Sequence, residues 1–355
     1  MKKSACNKIT KLFEYLKTKD IYCLGQGKHF KNITLPFLKD SGLIQNYRGF
    51  VDAIGELSSL PADKIVLLIA VNGYREILSQ LRADSGLSQI EAIPSIYLEA
   101  LYEDSLMLAA DQAPDGFRKN ANPVIPKVIH AIWFSDNPLP EKYRMCLDSW
   151  KKHARDFEIK IWDLDTYKPQ SCLFFDQAVG DNNWAFASDY ARADLLRRYG
   201  GVYMDLDVEM IRPIDDLLYN DAYMSFESLG RIECGSGMGA TKGNRIIEEI
   251  CKSYEERPYF KEDGTWDNST CPVRYTQVIE KHGLKKNGGF QYVEDITIYP
   301  FEVLTAKSFD TGLIHKTDRT YTIHHHNGTW VPTSAREAMK QRYNEIEDFI
   351  ENFNR

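Results

Sequence analysis

The segment from residue 184 to 209 constrains the fold most, because it specifies a helix, the end of that helix and a strand in direct succession. Ser188 offers a capping hydroxyl, good helix formers follow it, and Gly200-Gly201 predicts that the helix ends after Tyr199. Beyond the glycines, the run VYMDLDV alternates apolar and polar residues with the period of a strand. A helix, a tight turn and a half-buried strand in this order are typical of layered α/β folds.

The alternation along this strand places its side chains on two faces. The apolar residues at positions 202, 204, 206 and 208 share one face, whereas Tyr203, Asp205 and Asp207 share the other. Two carboxylates so close together repel each other unless a divalent cation neutralises them, and oxygen ligands favour Mg²⁺ or Mn²⁺. A diphosphate would fill the remaining coordination positions of such a cation. The alternative is a solvent-facing strand with two ordinary surface aspartates.

Two charged residues of the preceding helix lie on one helical face. Asp189 and Arg192 are three residues apart, so they either form an ordinary ion pair or together bind hydroxyl and phosphate groups of a ligand. A DxD run after an apolar strand also opens the phosphotransferases of haloacid-dehalogenase type. Those chains continue with Thr or Val where Glu209 stands here, which disfavours that class.

The 355 residues suit about two domains. Residues 1–110 predict one module, in which residues 20 to about 90 alternate strand and helix, with Gly25-Gln26-Gly27 closing the first strand and Asp52 at the end of the second. These positions fit half of a nucleotide-binding, Rossmann-like unit. Phe30 stands where the third glycine of the dinucleotide fingerprint belongs, so the sequence leaves the role of this module open.

A polar, turn-rich stretch over residues 111–124 predicts a linker, and residues 125–355 predict a second α/β domain. In that domain VIHAIWF and FEIKIWD have the patterns of strands. The C-terminal run SAREAMKQRYNEIEDFIENFNR predicts an amphipathic helix. Its polar face lacks an excess of Lys and Arg, which favours docking on its own domain or on a second subunit over a membrane surface.

From Ile125 to about Trp330 the chain resembles the DxD-containing sugar transferases of glycosyltransferase family 32. The segments that carry the resemblance are, in chain order, IPKVIHAIWFSDNPLP, FEIKIWD, FASDYARADLLRRYGGVYMDLDVE, GSGMGATKGN, TCPVRYTQVI and IHHHNGTW. The same layout looks more distantly like the glucosyltransferase domains of large clostridial toxins. Thr329 and Cys271 stand where related chains have serine and glycine. The resemblance implies a GT-A type α/β domain, which the Rossmann-like module precedes.

The resemblance also implies roles for individual residues. Trp133 matches the aromatic residue that stacks on the nucleotide base, and Tyr203 matches a position near the ribose. Asp189 and Arg192 match residues that hold the donor sugar, with Arg192 also facing the phosphates. Together with Asp205, these two are the expected catalytic residues.

The metal site implied by the resemblance combines the aspartate pair with a histidine. Asp205 and Asp207 match the metal-linked pair, and His325 is expected to complete the site from the run His324-His325-His326. A nitrogen ligand shifts the preference from Mg²⁺ towards Mn²⁺. Trp330, in the same motif, is expected to contact the donor nucleotide sugar. Outside the motif, a histidine run is equally a surface cluster or a weak zinc binder.

The resemblance therefore implies a retaining transferase that moves a hexose from a nucleotide-diphosphate sugar, with a UDP-sugar favoured, to a glycan or lipid-linked saccharide. Two alternatives stay open: a nucleotide-sugar-binding regulator without turnover, and a transferase that acts on a protein acceptor.

Net charge and hydropathy limit which classes of partner and which cellular location the sequence favours. The net charge of -7 disfavours nucleic acid as a partner. No apolar run reaches the roughly 18 residues of a membrane-spanning helix, and the first residues lack the apolar stretch of a secretory signal. We expect a cytoplasmic enzyme of polysaccharide biosynthesis, which a lipid-linked acceptor could bring to a membrane surface. Association into a homo-oligomer is left open.

Overall fold

The computed structural model describes residues 2–52, 54–135, 137–228, 230–328 and 331–353. The chain divides into two compact units, one formed by Met1–Ser105 with Gln341–Arg355 and the other by Leu106–Lys340. The stretch 111–124, expected as a linker, lies within the second unit. There the backbone N–H groups of Asn120 and Val124 donate to carbonyls of the 218–219 segment at 2.9 Å.

The first unit is built on a parallel four-stranded sheet, as the strand and helix alternation predicts. Its strands are β1 (Asp20–Leu24), β2 (Tyr47–Val51), β3 (Ile65–Ile69) and β4 (Glu91–Pro94), in the order β2-β1-β3-β4. Its first helices are α1 (Lys2–Leu16), α2 (Leu35–Asp40), α3 (Tyr74–Ala83) and α4 (Ser95–Leu108). Every residue of β3 is buried, which is expected of a central strand with both faces covered.

The second unit contains a mixed eight-stranded sheet and a separate two-stranded sheet. The strands are β5 (Val128–Ile132), β6 (Glu158–Trp162), β7 (Gly201–Met204), β8 (Val208–Met210), β9 (Ala222–Ser228), β10 (Arg231–Glu233), β11 (Ser236–Ala240), β12 (Gln291–Val293), β13 (Ile296–Tyr299) and β14 (Thr322–His324). The helices are α5 (Glu141–His153), α6 (Leu173–Gly180), α7 (Trp184–Tyr199), α8 (Arg245–Glu255), α9 (Cys271–Glu280) and α10 (Phe301–Leu304).

The large sheet runs β12-β13-β9-β11-β7-β5-β6, with β10 paired to β9, and the small sheet pairs β14 with β8. Strand β7 is parallel to β5 but antiparallel to β11. One hydrophobic core includes residues of α6, α7, α8 and α9, and a second includes residues of α5, β7 and β8. The α/β class expected from the sequence is confirmed in both units.

Helix α7 begins four residues earlier than the sequence suggests. It starts at Trp184, so Ser188 is an interior residue whose Oγ donates to the carbonyl of Ala185 at 2.7 Å and does not cap the helix. The predicted end is confirmed. At the first residue of β7, Gly201 has a φ of 101°, and a Cβ there would lie 2.7 Å from the carbonyl oxygen of Val128. Only glycine allows this close approach of β7 to β5.

Next to this close approach of β7 to β5, His130 of β5 is buried in its neutral form. Its Nε2–H donates to the carbonyl of Gly200 at 2.9 Å, and its Nδ1 accepts from the Trp162 indole N–H at 3.1 Å. Burial lowers the pKa of His130, although the bond to Gly200 opposes this.

A folded-state pKa below that of the unfolded chain means that His130 stabilises the fold fully above about pH 6.5 and less as the pH falls. We expect the free energy of unfolding of the wild type to fall, relative to that of His130→Gln, by up to about 1.4 kcal/mol per pH unit below this point. Thermal unfolding of both proteins at pH 7.5 and pH 5.5, in the same buffers, checks this. Parallel pH profiles would contradict it.

The predicted C-terminal amphipathic helix is α11 (Thr333–Asn352), and the boundary between the units falls inside it. Its last turns belong to the first unit. There Glu345 accepts hydrogen bonds from the hydroxyls of Tyr74 and Tyr97 at 2.9 and 2.7 Å and pairs with Arg75 at 2.7 Å. Phe349 packs against the Tyr97 ring at 6.0 Å between centroids. Among the described residues, no helix is both long enough and apolar enough to cross a membrane.

Candidate active site

The two aspartates lie in a turn that connects β7 to β8. Pairing of β7 with β11 ends at Met204, and the N–H of Val208 then donates to the carbonyl of Asp205 at 3.0 Å, which closes the turn. The predicted continuous strand is therefore interrupted, because the chain passes from the large sheet to the small one. The predicted sidedness is confirmed: the residues at 202, 204, 206 and 208 are buried together in one core.

On the side opposite the buried apolar residues, Asp205 contacts Tyr203 and Arg192. The Tyr203 hydroxyl donates to Asp205 Oδ1 at 2.6 Å, and Arg192 Nη1 lies 3.7 Å from Asp205 Oδ2. The Arg192 guanidinium also lies over the Tyr203 ring, 5.1 Å from its centroid. Tyr203 is itself buried. These contacts fix the position of one carboxylate of the pair.

Gly235 leaves the space that the Asp205 carboxylate occupies. It lies in the turn between β10 and β11, and its carbonyl accepts from the Asp205 N–H at 2.8 Å. A Cβ at this position would overlap Asp205 Oδ2 and lie 2.7 Å from Asp205 Cγ. The φ of Gly235 is outside the left-handed region, so the need for glycine is one of space alone.

Helix α7 contributes Asp189 and Arg192, which the structure brings to the DxD turn. Arg192 Nη2 lies 3.2 Å from Asp189 Oδ1 and 3.1 Å from Ser188 Oγ, and Nη1 lies 3.6 Å from Cys271 Sγ. Both charged side chains are buried. Burial raises the pKa of Asp189 to about 6, although the Arg192 charge lowers it. The pair is thus a shielded ion pair that directs Arg192 towards Asp205.

Asp207 is bound from the histidine segment. Asp207 Oδ2 accepts from the Asn327 N–H at 2.7 Å, and Asp207 Oδ1 lies 3.3 Å from His324 Nε2. Burial alone would raise the pKa of Asp207, but the charge of His324 and these bonds hold it well below its usual range. The carboxylate is therefore ionised in the folded chain.

The structure does not bring His325 to the aspartate pair. Its Nε2 lies 3.1 Å from Glu209 Oε2, whereas the neighbouring His324 faces Asp207. The reason is the register of β14, in which His324 pairs with Val208 and the backbone N–H of His325 donates to the carbonyl of Asp207 at 3.0 Å. Successive side chains of an extended segment point to opposite sides. His324, which the sequence does not single out within the run, thus occupies the place expected of His325.

Three side chains form a group that could hold a divalent cation. Ligand atoms of Asp205, Asp207 and His324 lie within 4.8 Å of one another. Two carboxylates and one imidazole are a donor set that suits Mn²⁺, and Mg²⁺ would use the oxygens. The space that Gly235 leaves for the Asp205 carboxylate shows that the chain is built to keep this oxygen beside the turn. The residues present therefore fit the cation that the sequence implies.

A cleft of about 570 Å³ opens in front of these residues. Trp133 lines it, with its indole N–H donating to the Asn137 carbonyl at 2.8 Å and its ring edge-on to Tyr143. The lining also includes His326 of the histidine run and residues that the sequence does not single out: Asn182, Asn183, Trp184 and Phe309. Trp330 lies outside the described residues. The cleft thus contains aromatic, amide and charged groups, as a site for a polar ligand requires.

Two further carboxyl groups lie beside the histidines. Glu233 is buried, its Oε1 accepts from the Gly235 N–H at 2.6 Å, and this oxygen lies 3.4 Å from His324 Nδ1. Burial would raise the pKa of Glu233, but the His324 charge brings it to about 2. Burial, followed by repulsion from Glu233, raises the pKa of Glu227 to about 8. The motif pattern gives little signal for Glu233, because it lies outside the DxD turn.

Part of the chain that lines this cleft is similar to known proteins. Residues 140–224, which contain the DxD turn, match the family described as "glycosyltransferase sugar-binding region containing DXD motif". Inositol phosphoceramide mannosyltransferase 3 of Schizosaccharomyces pombe is 27% identical over 161 residues, 43% of each chain. Inositol phosphoceramide mannosyltransferase 2 of the same yeast is 29% identical over 236 residues, 62% of this chain and 61% of that protein.

The chain thus spans between about two fifths and three fifths of the length of these relatives. A solved structure titled "PaToxG Glycosyltransferase" is 18% identical, with a TM-score of 0.36, over 52% of this chain and 78% of that one. The family match confirms the resemblance expected from the sequence.

Proposed function

We propose that this chain, which carries a DXD glycosyltransferase region, transfers a hexose from a nucleotide-diphosphate sugar to a glycan or lipid-linked saccharide and depends on a divalent cation. A UDP-sugar is the favoured donor, and retention of anomeric configuration is part of the proposal. One observation supports it most: Asp205, Asp207 and His324 meet at one edge of a cleft that Arg192 also lines.

Each residue has a role that follows from its position. Arg192 is buried and lies 3.7 Å from Asp205, so its charge can stabilise negative charge that develops on a leaving diphosphate. Asp189 is buried beside the cleft and orients Arg192 through its ion pair. Trp133 presents an indole at the cleft on which a nucleotide base can stack. A divalent cation bound to the aspartates would supply Lewis-acid stabilisation of the diphosphate.

The names of the relatives suggest a more specific acceptor class. Inositol phosphoceramide mannosyltransferases act, by name, on a lipid-linked head group, which agrees with the lipid-linked saccharide expected here. The proposal therefore includes mannose among the candidate hexoses and contact with a membrane surface through the acceptor. Cytoplasmic location and a role in polysaccharide biosynthesis belong to the same proposal.

The test is nucleotide release by the purified full chain from a panel of UDP-, GDP- and dTDP-sugars without acceptor. Each donor is assayed with Mn²⁺, with Mg²⁺ and with a chelator. We expect slow release from one donor, stimulated by Mn²⁺ and abolished by the chelator. Absence of release from every donor, together with cation-dependent nucleotide binding, would instead support a regulator without turnover. Absence of both would contradict the proposed site.

A further inference from the structure

We propose that Glu233, His324 and His326 form a second cation site, suited to Zn²⁺, that shares His324 with the Asp205–Asp207 site. Ligand atoms of these three residues also lie within 4.8 Å of one another. Glu233 and His324 are buried, so a cation there would be shielded from solvent. Of this group, the proposed sugar transfer uses His324 but assigns no role to Glu233 or His326.

The distance between His324 Nδ1 and Glu233 Oε1 leaves room for a cation in place of the proton that a charged His324 carries on Nδ1. His324 is 8% exposed, and its Nδ1 is a buried atom without a hydrogen-bond partner, 3.4 Å from Glu233 Oε1. A good N–H···O bond is about 2.7–3.2 Å long. Two ligands at about 2.0–2.1 Å from a tetrahedral zinc ion are separated by about 3.3 Å, which is close to the observed spacing.

His326 has the proton arrangement of a metal ligand. Its Nε2–H donates to the carbonyl of Lys307 at 3.0 Å, which leaves the lone pair on Nδ1. A histidine that binds a metal through one nitrogen commonly donates the other N–H to a backbone carbonyl. The His324 and His326 rings lie side by side, with centroids 4.1 Å apart and planes inclined by 33°.

A backbone group also orients Glu233. The backbone N–H of Gly235 donates to its Oε1 at 2.6 Å, so the carboxylate is oriented before any cation arrives. Two imidazoles and one carboxylate form a nitrogen-rich donor set that favours Zn²⁺, with a fourth position for water. The Asp205–Asp207 site offers two carboxylates, which are harder ligands than imidazole, and therefore suits Mn²⁺ or Mg²⁺.

The two sites share one imidazole. His324 faces Asp207 through Nε2 and Glu233 through Nδ1, and a neutral imidazole has a lone pair on only one nitrogen. Zn²⁺ on Nδ1 therefore places the proton of His324 on Nε2, which removes a ligand from the aspartate site. We expect Zn²⁺ to inhibit Mn²⁺-dependent turnover; this consequence rests on the proposed function, whereas zinc binding does not.

Binding is measured on the full chain without a sugar donor, by competition for Zn²⁺ with a chromogenic chelator, and Co²⁺ absorption serves as a second readout. Glu233→Gln and His326→Asn are the test variants, since asparagine tolerates the left-handed backbone of His326 at a φ of 52°. We expect each to weaken Zn²⁺ binding by at least the roughly 10- to 100-fold seen for loss of outer-shell partners. Both should also lose the intense bands of tetrahedral Co²⁺.

His325→Asn is the matched control, because this neighbouring histidine faces Glu209, and it should bind Zn²⁺ like the wild type. Asp207→Asn separates the two sites and should also retain Zn²⁺. Wild-type affinity in the Glu233 and His326 variants would overturn the proposal, as would a loss confined to Asp207→Asn, which would place Zn²⁺ on the aspartate pair. Thermal unfolding of each variant with a chelator present shows whether a loss reflects unfolding.

Discussion

Asp207→Asn is expected to reduce cation-dependent nucleotide release by about 10²- to 10³-fold, the range seen when one preorganised electrostatic group is lost. The substitution removes a carboxylate that faces His324 at 3.3 Å but keeps an oxygen that can accept from the Asn327 N–H. The fold should therefore survive while the cation loses a charged ligand. Turnover at saturating Mn²⁺ and thermal unfolding, measured on the same preparation, separate these effects.

Glu209→Gln is the matched control for this experiment. Glu209 is two residues away, and its carboxylate faces His325 at 3.1 Å on the other side of the segment. We expect nearly unchanged turnover. Equal losses in the two variants would show that the segment as a whole, and not the Asp207 carboxylate, determines activity, and would return His325 to consideration as a ligand.

Gly235→Ala is expected to lower turnover by about 10²-fold, because displacing a reacting group by about 1 Å has this cost. The added methyl group would overlap Asp205 Oδ2 and must push the carboxylate away from Tyr203 and Arg192. The backbone of Gly235 itself is unstrained, so stability should fall only by the about 1–3 kcal/mol that overpacking costs. Nucleotide release and thermal unfolding measure the two quantities.

Gly180→Ala at the end of α6 provides the comparison, because a Cβ there meets no atom within 4 Å. It should leave both turnover and the unfolding temperature close to the wild-type values. Full activity in Gly235→Ala would mean that the Asp205 carboxylate can occupy a second position, and that Gly235 does not determine the geometry of the site.

Periodicity was sufficient to predict β5, β6 and β7 and which face of the DxD segment is buried, since these depend only on local pattern, but not the break between β7 and β8. Periodicity could not predict which of the three adjacent histidines faces the aspartates. It depends on the pairing of β14 with β8, where a shift of one residue exchanges the two faces. His324 therefore faces Asp207 in place of His325, because the strand register, and not the motif, determines which histidine points to this side.

Contacts between segments distant in sequence were also beyond prediction. The spacing between Gly235 and Asp205 gives no sign that the carboxylate fills the space beside the glycine. Likewise, the pattern of α11 predicts an amphipathic helix but not its partners. Glu345, which binds Tyr74, Arg75 and Tyr97, is polar, so hydrophobic spacing could not assign these turns to the first unit.

The division of the first unit between Met1–Ser105 and Gln341–Arg355 imposes an order on synthesis. The ribosome completes the whole of the second unit before it makes the residues that carry Glu345 and Phe349. Until then the surface around Tyr74 and Tyr97 lacks its covering helical turns, and the hydroxyls that Glu345 would bind are left to water. Residues made after the second unit thus complete a unit whose other residues are made before it, and expression of residues 1–105 alone would yield a unit without these helical turns.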